Sequence, residues 1–360
     1  GGAYSGDIVI PSTITYNGMD YTVTTVRRGA MWKKPGASNI GSITSITLPE
    51  TVTLVGTDAF RDNESLREVN YGKNTRIEVR SFFGCPNLKL EYHPLMFAYT
   101  EPFTGEFGDR YVFSRMYVPA EQPMEDIVDY QWAIFKHHHN AVYFDGWQNM
   151  TNDDAMACYC FFTEYVKSGR FILKDNNNVD AMFKGYRRLD QNVLIAHNNY
   201  VACHEFPIYS RWTWEEEPKS MPANFIASVA KKYGRKVKYS YEAARLLYSD
   251  VPEQFVITEF EHKNGYPMVV FSWVRNGMEV CWHVMEGKTP VDDPDSSVWN
   301  IDDDGTYGIP QIISITKDER GNVEVIMNHQ APESMNLMHL VQSGTKLAIE
   351  SSDQWYVWYR

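Results

Sequence analysis

The sequence predicts an α+β protein of several domains, in which a short β/α solenoid is followed by antiparallel meander sheets packed by helices. Three observations predict this fold class. A spacing of about 23 residues repeats near the start of the chain, Asn-Gly turns separate apolar runs near its end, and 360 residues exceed what one core usually organises. We therefore expect a repeat domain over residues 1–98, an α+β region over 99–218, and an α+β domain of two helices and an antiparallel sheet over 219–360.

Apolar positions recur in register in the first part of the chain. Two later units carry them at Ile46 to Pro49, Leu54 and Ala59-Phe60, and then at Tyr71, Ile77 and Phe82-Phe83. An earlier unit carries them at Ile8 to Pro11, Val23, Val26 and Ala30-Met31, which match Ile46 to Pro49, Val52, Val55 and Ala59-Phe60, with a hairpin turn inserted at Asn17-Gly18. Because units this small cannot bury their own apolar side, we expect successive coils to stack, with two of them over residues 40–92.

Several motifs in these units are distinctive. They are the strands that end in Ile-Pro or Leu-Pro, the Ala59-Phe60 step, the run from Phe83 to Leu88, and the opening run from Tyr4 to Pro11. In these features residues 4–92 resemble the BspA-like leucine-rich repeats of surface proteins from anaerobic gut bacteria. The resemblance implies secretion or surface attachment and contacts with proteins or glycans, and it brings no catalytic residues. The array is short, and Trp32-Lys33-Lys34-Pro35 interrupts its first unit, so it is expected to cap or support the rest of the chain.

The remaining elements follow from hydrophobic periodicity and from turn residues. Alternation predicts strands over residues 111–118 and 193–208, and a helix is predicted over 154–167. Further helices are predicted over 223–233, ended by Gly234, and over 241–248. These helices would cover the meander sheet, an arrangement similar to cystatin-like or nuclear-transport-factor-2-like architecture.

Asn-Gly turns predict the hairpins of that sheet. They occur at Asn264-Gly265 and Asn276-Gly277, and a Gly321 turn joins a later pair of strands. A two-residue loop at Asn276-Gly277 pairs Arg275 with Met278. Continued without interruption, the same register pairs Trp273 with Val280 and Phe271 with Trp282.

Composition excludes some classes of function. The net charge of −12 argues against nucleic acid or an anionic membrane as partner, and an aromatic content of 14% favours β-rich structure or ring-lined binding surfaces. No apolar run approaches the ~20 residues of a transmembrane helix. The chain begins Gly1-Gly2-Ala3, so we expect that any signal peptide was removed or never existed, with lipid anchoring through a removed segment as one option. Five scattered cysteines favour buried thiols over a disulfide framework.

Calcium is the metal ion that the sequence favours, and no other cofactor is expected. Asn300, Asp302 and Asp304 alternate before Gly305, as ligands do at the start of a calcium loop. The expected bidentate Glu is replaced by Gln311, for which Asp295 could compensate. The alternative is a solvated acidic loop.

His204-Glu205 is not a zinc protease motif, because Ile208 stands where the second histidine should be. In the run His137 to His139, at most His137 and His139 could share a metal ion, and polar residues at the end of a strand are the favoured interpretation.

A candidate ligand-binding site follows residue 211. Trp212 and Trp214 lie on one side of an extended segment, and Glu215 and Glu216 come directly after them. Stacking rings beside carboxylate acceptors are what sugar binding requires. The alternative is that the two indoles pack against a neighbouring domain.

The sequence favours a secreted or cell-surface binding protein that recognises a host or bacterial protein or glycan without catalysis. One alternative is an extracellular hydrolase of glycans or peptides, with a carboxylate pair or with a thiol–histidine dyad at Cys203 or Cys158. Another is a structural component of a surface assembly. Because no catalytic motif is found, the enzyme alternative depends on residues that only the fold could bring together.

Overall fold

The computed structural model describes residues 4–36, 40–91, 93–103, 110–118, 127–149, 167–173, 192–212, 217–287, 310–331 and 334–356. Within them the chain forms twenty-three β-strands and two α-helices, α1 (Asn198–Cys203) and α2 (Ala223–Tyr233). The fold is therefore mostly β, and the expectation of an α+β protein with helices packed on its sheets is wrong. Residues 241–248 illustrate the reason. Their helix-forming Ala243-Ala244-Arg245-Leu246 pairs on both sides with other strands, and tertiary pairing prevails over local propensity.

The first part of the chain is a solenoid of stacked coils. Its strands are β1 (Tyr4–Val9), β2 (Thr13–Tyr16), β3 (Met19–Thr22), β4 (Thr25–Val26), β5 (Ile40–Thr47), β6 (Leu54–Val55), β7 (Glu68–Asn70) and β8 (Arg76–Ile77). They form two parallel sheets, of order β1-β5-β7 and β4-β6-β8, and a separate hairpin of β2 and β3. The coils expected over residues 40–91 are observed, but the described solenoid residues form strands and turns without the helices of a β/α solenoid.

The register between coils differs in one detail from the expected 23-residue offset. Ile46 pairs with Val69, 23 residues on, whereas Val55 pairs with Ile77, 22 residues on. The match of Ile77 to Leu54 is therefore wrong by one residue. Consistent with the observed register, the ring of Phe60 stacks on that of Phe82, with centroids 5.6 Å apart.

Each coil turns at an equivalent residue with a left-handed backbone. Gly29, Asp58 and Arg80 have φ angles of 63°, 56° and 57°. Their amides donate to the next coil in the same way: Gly29 to the Thr57 carbonyl, Asp58 to that of Val79, and Arg80 to that of Val201 in α1. The short helix α1 thus occupies the place of a further coil and covers the end of the solenoid.

Residues 96–196 supply a closed antiparallel barrel. Its strands are β9 (Met96–Phe103), β10 (Arg110–Val118), β11 (Trp132–Phe135), β12 (His138–Asn149), β13 (Lys167–Leu173) and β14 (Asn192–Ala196), in the order β10-β13-β12-β11-β14-β9. A 3₁₀ turn at Ile127–Asp129 precedes β11. The strand predicted over 111–118 is observed, whereas the one over 193–208 ends at Ala196 and gives way to α1. The helix predicted over 154–167 lies outside the described residues except for Lys167, which begins β13.

The last part of the chain is a nine-stranded sheet. Its strands are β15 (Tyr209–Arg211), β16 (Val237–Leu246), β17 (Glu253–Lys263), β18 (Tyr266–Arg275), β19 (Met278–Glu286), β20 (Gln311–Lys317), β21 (Val323–Ala331), β22 (Ser334–Ser343) and β23 (Lys346–Tyr356). The order is β15-β16-β17-β18-β19-β23-β22-β21-β20. The sheet curls until its ends approach, since the hydroxyl of Tyr209 donates to the carbonyl of Ile313. We refer to it as the curled sheet.

The predicted hairpins are observed, but the predicted register fails after two residues. Arg275 pairs with Met278 as expected, whereas Trp273 pairs with Cys281 instead of Val280. Phe271 likewise pairs with His283 instead of Trp282. Val280 is the extra residue of a β-bulge, which shifts every later pair by one position.

One predicted helix of this region is observed. The helix α2 ends at Gly234, whose φ of 63° is the left-handed conformation expected after a helix. Its buried Phe225 and Val229 pack with Val256 and Val274 of the curled sheet.

Candidate functional site

The hairpin of β2 and β3 presents an apolar face to solvent. Tyr16 pairs with Met19 and Ile14 pairs with Tyr21, so these four side chains lie on one side of the hairpin. They are 44 to 65% exposed and belong to none of the hydrophobic clusters of the described residues. We call this surface the hairpin face. Contiguous exposed apolar patches commonly mark interaction sites.

The local sequence explains why the face forms. Asn17 and Gly18, with φ angles of 50° and 76°, make the tight turn that joins twisted antiparallel strands. The side of the hairpin opposite the hairpin face carries Thr13, Thr15, Asp20 and Thr22. There the hydroxyl of Thr15 donates to Asp20 at 2.5 Å. The hairpin therefore separates an apolar side from a polar one.

A row of rings and a guanidinium group runs along the solenoid. Trp32, Arg61 and Phe83 occupy equivalent positions in three coils, and the guanidinium carbon lies 5.1 Å and 5.2 Å from the two ring centres. The indole of Trp32 also donates to Asp62 at 2.9 Å. These contacts tie the three coils together through cation–π attraction.

A cluster of buried polar side chains lies between α1 and the curled sheet. Glu324 accepts hydrogen bonds from the hydroxyl of Tyr200 at 2.6 Å and from Thr316 at 3.3 Å. Nε2 atoms of His204 and His339 each lie 2.9 Å from one of its oxygens. Burial raises the pKa of the Glu324 carboxyl, but His204 and the hydrogen bonds prevail and hold it well below its ordinary value. We call these five residues the junction cluster.

A second buried carboxylate links two strands, β17 and β20, that lie far apart in the order of the curled sheet. Glu253 accepts from Lys317 Nζ at 2.7 Å, and from Ser249 and the Trp273 indole at 2.9 Å. Burial raises the pKa of Glu253, but these partners outweigh it and the pKa is lowered. Both buried carboxylates are thus charged and fully engaged within the fold.

A pocket of about 170 Å³ opens beside the first turn of α2. One acidic residue, Glu242, lines it, and its carboxylate accepts from Arg245 and Gln254. The hydrolase alternative requires two carboxylates in one cleft. This pocket offers a single carboxylate that is already occupied.

The sequence-predicted sites fall largely outside the described residues. Trp212 is half-buried, and its backbone amide donates to the carbonyl of Ala243 at 2.8 Å, which places it beside β16. Outside the described residues lie Trp214, Glu215 and Glu216, and the proposed calcium ligands Asp295, Asn300, Asp302 and Asp304. The glycan site and the calcium site therefore stay predictions.

Cys203 and His204, neighbours in the sequence, take separate roles. The thiol of Cys203 packs against the solenoid core, and burial raises its pKa far above the neutral range. Both ring nitrogens of His204 are directed at other partners, Glu324 and the carbonyl of Tyr200. Since nucleophilic catalysis needs a thiolate beside a base, the described geometry gives no support to a dyad at Cys203.

The histidine run meets the barrel at the beginning of β12. His137 lies in the preceding turn, and its ring is 4.2 Å from that of His138. Burial and the neighbouring His138 lower the pKa of His137. No group of three or more side chains suited to hold a metal ion occurs among the described residues.

Neither the hairpin face nor the junction cluster was predicted from the sequence. The first had a local signal, because Ile14 and Tyr16 alternate before the Asn-Gly turn and Met19 and Tyr21 alternate after it. The second had none, since Glu324 lies 120 residues from His204 along the chain.

Comparisons with known proteins match a short part of the chain. No family model and no curated protein matches it. A leucine-rich cell surface protein from Faecalibacterium prausnitzii A2-165 has a solved structure that is 24% identical over 24% of this chain and 23% of its own, with a TM-score of 0.19. The chain thus spans less than a quarter of that protein. The short match is to a leucine-rich cell surface protein. Membership of the BspA-like family stays a prediction.

No helix in the part of the chain that the structure describes has the length and apolar character to cross a bilayer.

Proposed function

We propose that this chain is a non-catalytic binding protein, secreted or held at a cell surface, that recognises a partner protein through the hairpin face. The observation that carries the proposal is the exposure of four large apolar side chains on one side of a hairpin that pairs with no other strand of the described residues. The proposed location rests on the repeat motifs of the sequence.

The chemistry of the face favours a protein over a glycan. Sugar recognition combines rings with several polar groups that converge on hydroxyls. The hairpin face combines two phenols with Ile14 and Met19 and carries no charged or amide group. Tyrosine and methionine are enriched at protein interfaces, so the expected partner presents an apolar surface.

The size of the face favours a different protein over a second copy of this chain. Four such half-exposed side chains offer roughly 400 Å². Two copies packed through this face alone would bury about 800 Å², less than the ~1,200 Å² at which stable interfaces begin. The partner is therefore expected to contact further residues beyond the hairpin face.

The test is a combined protein, peptide and glycan array probed with the purified full chain. We expect hits among polypeptides with apolar side chains. The double variant Tyr16→Ser/Tyr21→Ser should bind them roughly 1,000-fold more weakly, because two central interface residues that contribute ~2 kcal/mol each sum to ~4 kcal/mol. The control, Thr13→Ser/Thr22→Ser, alters the polar side of the same hairpin and should bind as the unmodified chain does.

Three results would overturn the proposal. Equal binding by the double variant would show that another surface is responsible. Hits confined to glycans would give the wrong class of ligand. Chemical turnover of a bound peptide or glycan would favour the hydrolase alternative.

A further inference from the structure

His204 has an oxygen acceptor at each of its ring nitrogens. Its Nε2 lies 2.9 Å from Oε1 of Glu324, and its Nδ1 lies 2.6 Å from the carbonyl oxygen of Tyr200. A neutral imidazole has a single N–H, so it would set a nitrogen lone pair against one of these oxygens. The geometry therefore fits the doubly protonated ring, an imidazolium.

Glu324 supplies the matching negative charge. Its side chain is 8% exposed and is surrounded by donors from α1, β20 and β22. One of them, His339, uses Nε2, while its Nδ1 has no hydrogen-bond partner among the described residues. Of the two rings, His204 is therefore the one with an acceptor at each nitrogen, and the geometry assigns the imidazolium to it.

This ion pair lies where the solenoid is attached to the curled sheet. His204 directly follows α1, whose Val201 and Ala202 carbonyls accept from the amides of Arg80 and Phe82 in the last coil. The next residue, Glu205, exchanges two backbone hydrogen bonds with Lys317 of β20, at 2.8 and 3.0 Å. A displacement of His204 would therefore disturb both sides of the attachment.

We propose that His204 makes the attachment of the solenoid to the curled sheet pH-dependent: the ion pair with Glu324 holds the two together while the ring is protonated, and the attachment loosens when the ring loses its proton.

The direction of the effect follows from proton linkage. Burial lowers the pKa of His204, but the charge of Glu324 prevails and the pKa lies above its ordinary value of 6.5. A raised pKa in the folded state stabilises the contact below the unfolded value, and the stabilisation is lost as the pH rises through the folded value. Glu324, with a lowered pKa, keeps its own contribution above its ordinary value of 4.5. The attachment is therefore strongest between pH 4.5 and 6.5 and weakens at higher pH.

The other titratable groups near His204 act in the same direction or are already paired. Asp318, in the turn between β20 and β21, raises the pKa of His204. Burial and Asp318 raise the pKa of Glu319 in the same turn, and its charge when ionised also favours the imidazolium. From α1 and β22 the facing groups are Tyr200 and His339, both hydrogen-bonded to Glu324.

The test is amide hydrogen exchange of the full chain between pH 5 and 9, corrected for the intrinsic pH dependence of exchange. Protection at Arg80, Phe82 and Glu205 should be constant up to pH 6.5. Above it, protection should fall by up to tenfold per pH unit and level off beyond the folded pKa of His204. Protection of Val256, inside β17, should show no such break.

Variants separate this histidine from the others. His204→Gln keeps a donor toward Glu324 but cannot titrate, so the break should disappear, whereas the exposed His262→Gln should retain it. An unchanged break in His204→Gln, or its absence in the unmodified chain, would overturn the proposal. Should His204→Gln fail to fold, the NMR titration of the His204 ring in the unmodified chain decides, because a pKa at or below 6.5 contradicts the ion pair.

Discussion

The solenoid and the curled sheet are both built from strands, but they place their polar side chains differently. In the solenoid one arrangement recurs from coil to coil, as in the left-handed turns at Gly29, Asp58 and Arg80. In the curled sheet each buried charge occurs once and depends on residues far along the chain, as Glu324 depends on His204. A repeated arrangement can therefore be recognised in the sequence, whereas a single cluster of residues far apart in the chain cannot.

The largest effect is expected from removing the charge on which the curled sheet depends. Glu324→Ala leaves the imidazolium of His204 buried without its partner, which should lower the free energy of unfolding by about 3–5 kcal/mol. Urea unfolding measures it. The control is Glu350→Ala on the exposed side of β23, expected to change stability by less than ~0.5 kcal/mol. A loss below ~1 kcal/mol for Glu324→Ala would remove the contrast between the two regions.

In the solenoid, the free energy of unfolding depends on the close spacing between coils. A Cβ added to Gly56 would lie 2.7 Å from the backbone nitrogen of Arg28 in the preceding coil, where nothing can move aside cheaply. Gly56→Ala should therefore cost about 1–3 kcal/mol in unfolding free energy. In Gly72→Ala the new atom meets the flexible carboxylate of Glu50, so the cost should be smaller. Equal costs would contradict close stacking at Gly56.

Comparison of these two regions also shows how far the sequence could predict the fold. The pairing of Val26 with Val55 could be predicted from the sequence because the motif recurs. The turn at Asn276-Gly277 could be predicted because its signal is local. The bulge at Val280 was not, since nothing in the adjacent residues marks it. Closure of the barrel depends on pairs such as Leu194 with Phe97, which periodicity does not specify.

The two parts of the candidate site also differ in how far the sequence could predict them. The hairpin face could have been found from the alternation around Asn17-Gly18. The junction cluster could not, because His204, Glu324 and His339 meet through three separate elements. The predicted boundaries after residues 98 and 218 stay predictions.

A smaller effect is expected from one hydrogen bond between coils. The hydroxyl of Thr75 is buried and donates to the Val52 carbonyl at 2.7 Å. Thr75→Val keeps the shape but leaves that carbonyl without its donor, which should cost about 1–2 kcal/mol. Thr53→Val provides the control, because its hydroxyl is exposed and lies 3.5 Å from the Thr24 carbonyl. Thermal and urea unfolding should rank the two variants in this order, and the reverse ranking would count against the stacked coils.

The smallest effect on stability is expected at the hairpin face. Tyr16→Ser/Tyr21→Ser removes side chains that pack on no described cluster, so the free energy of unfolding should change by less than about 0.5 kcal/mol. Binding of the partner should nevertheless weaken roughly 1,000-fold. A loss of stability as large as that of Gly56→Ala would show that the face is part of the core and would weaken its assignment as a recognition surface.

The attachment of the solenoid depends on its last coil ending against α1, which joins that coil to the curled sheet. Amide hydrogen exchange across residues 78–84, read by mass spectrometry with fragment resolution, tests this most directly. Between pH 4.5 and 6.5, where the attachment is strongest, we expect the amides of Arg80 and Phe82, which donate to Val201 and Ala202, to be as strongly protected as the amide of Phe60 between two coils. Rapid exchange at Arg80 and Phe82 while Phe60 stays protected would show that the last coil is open and that the attachment does not exist.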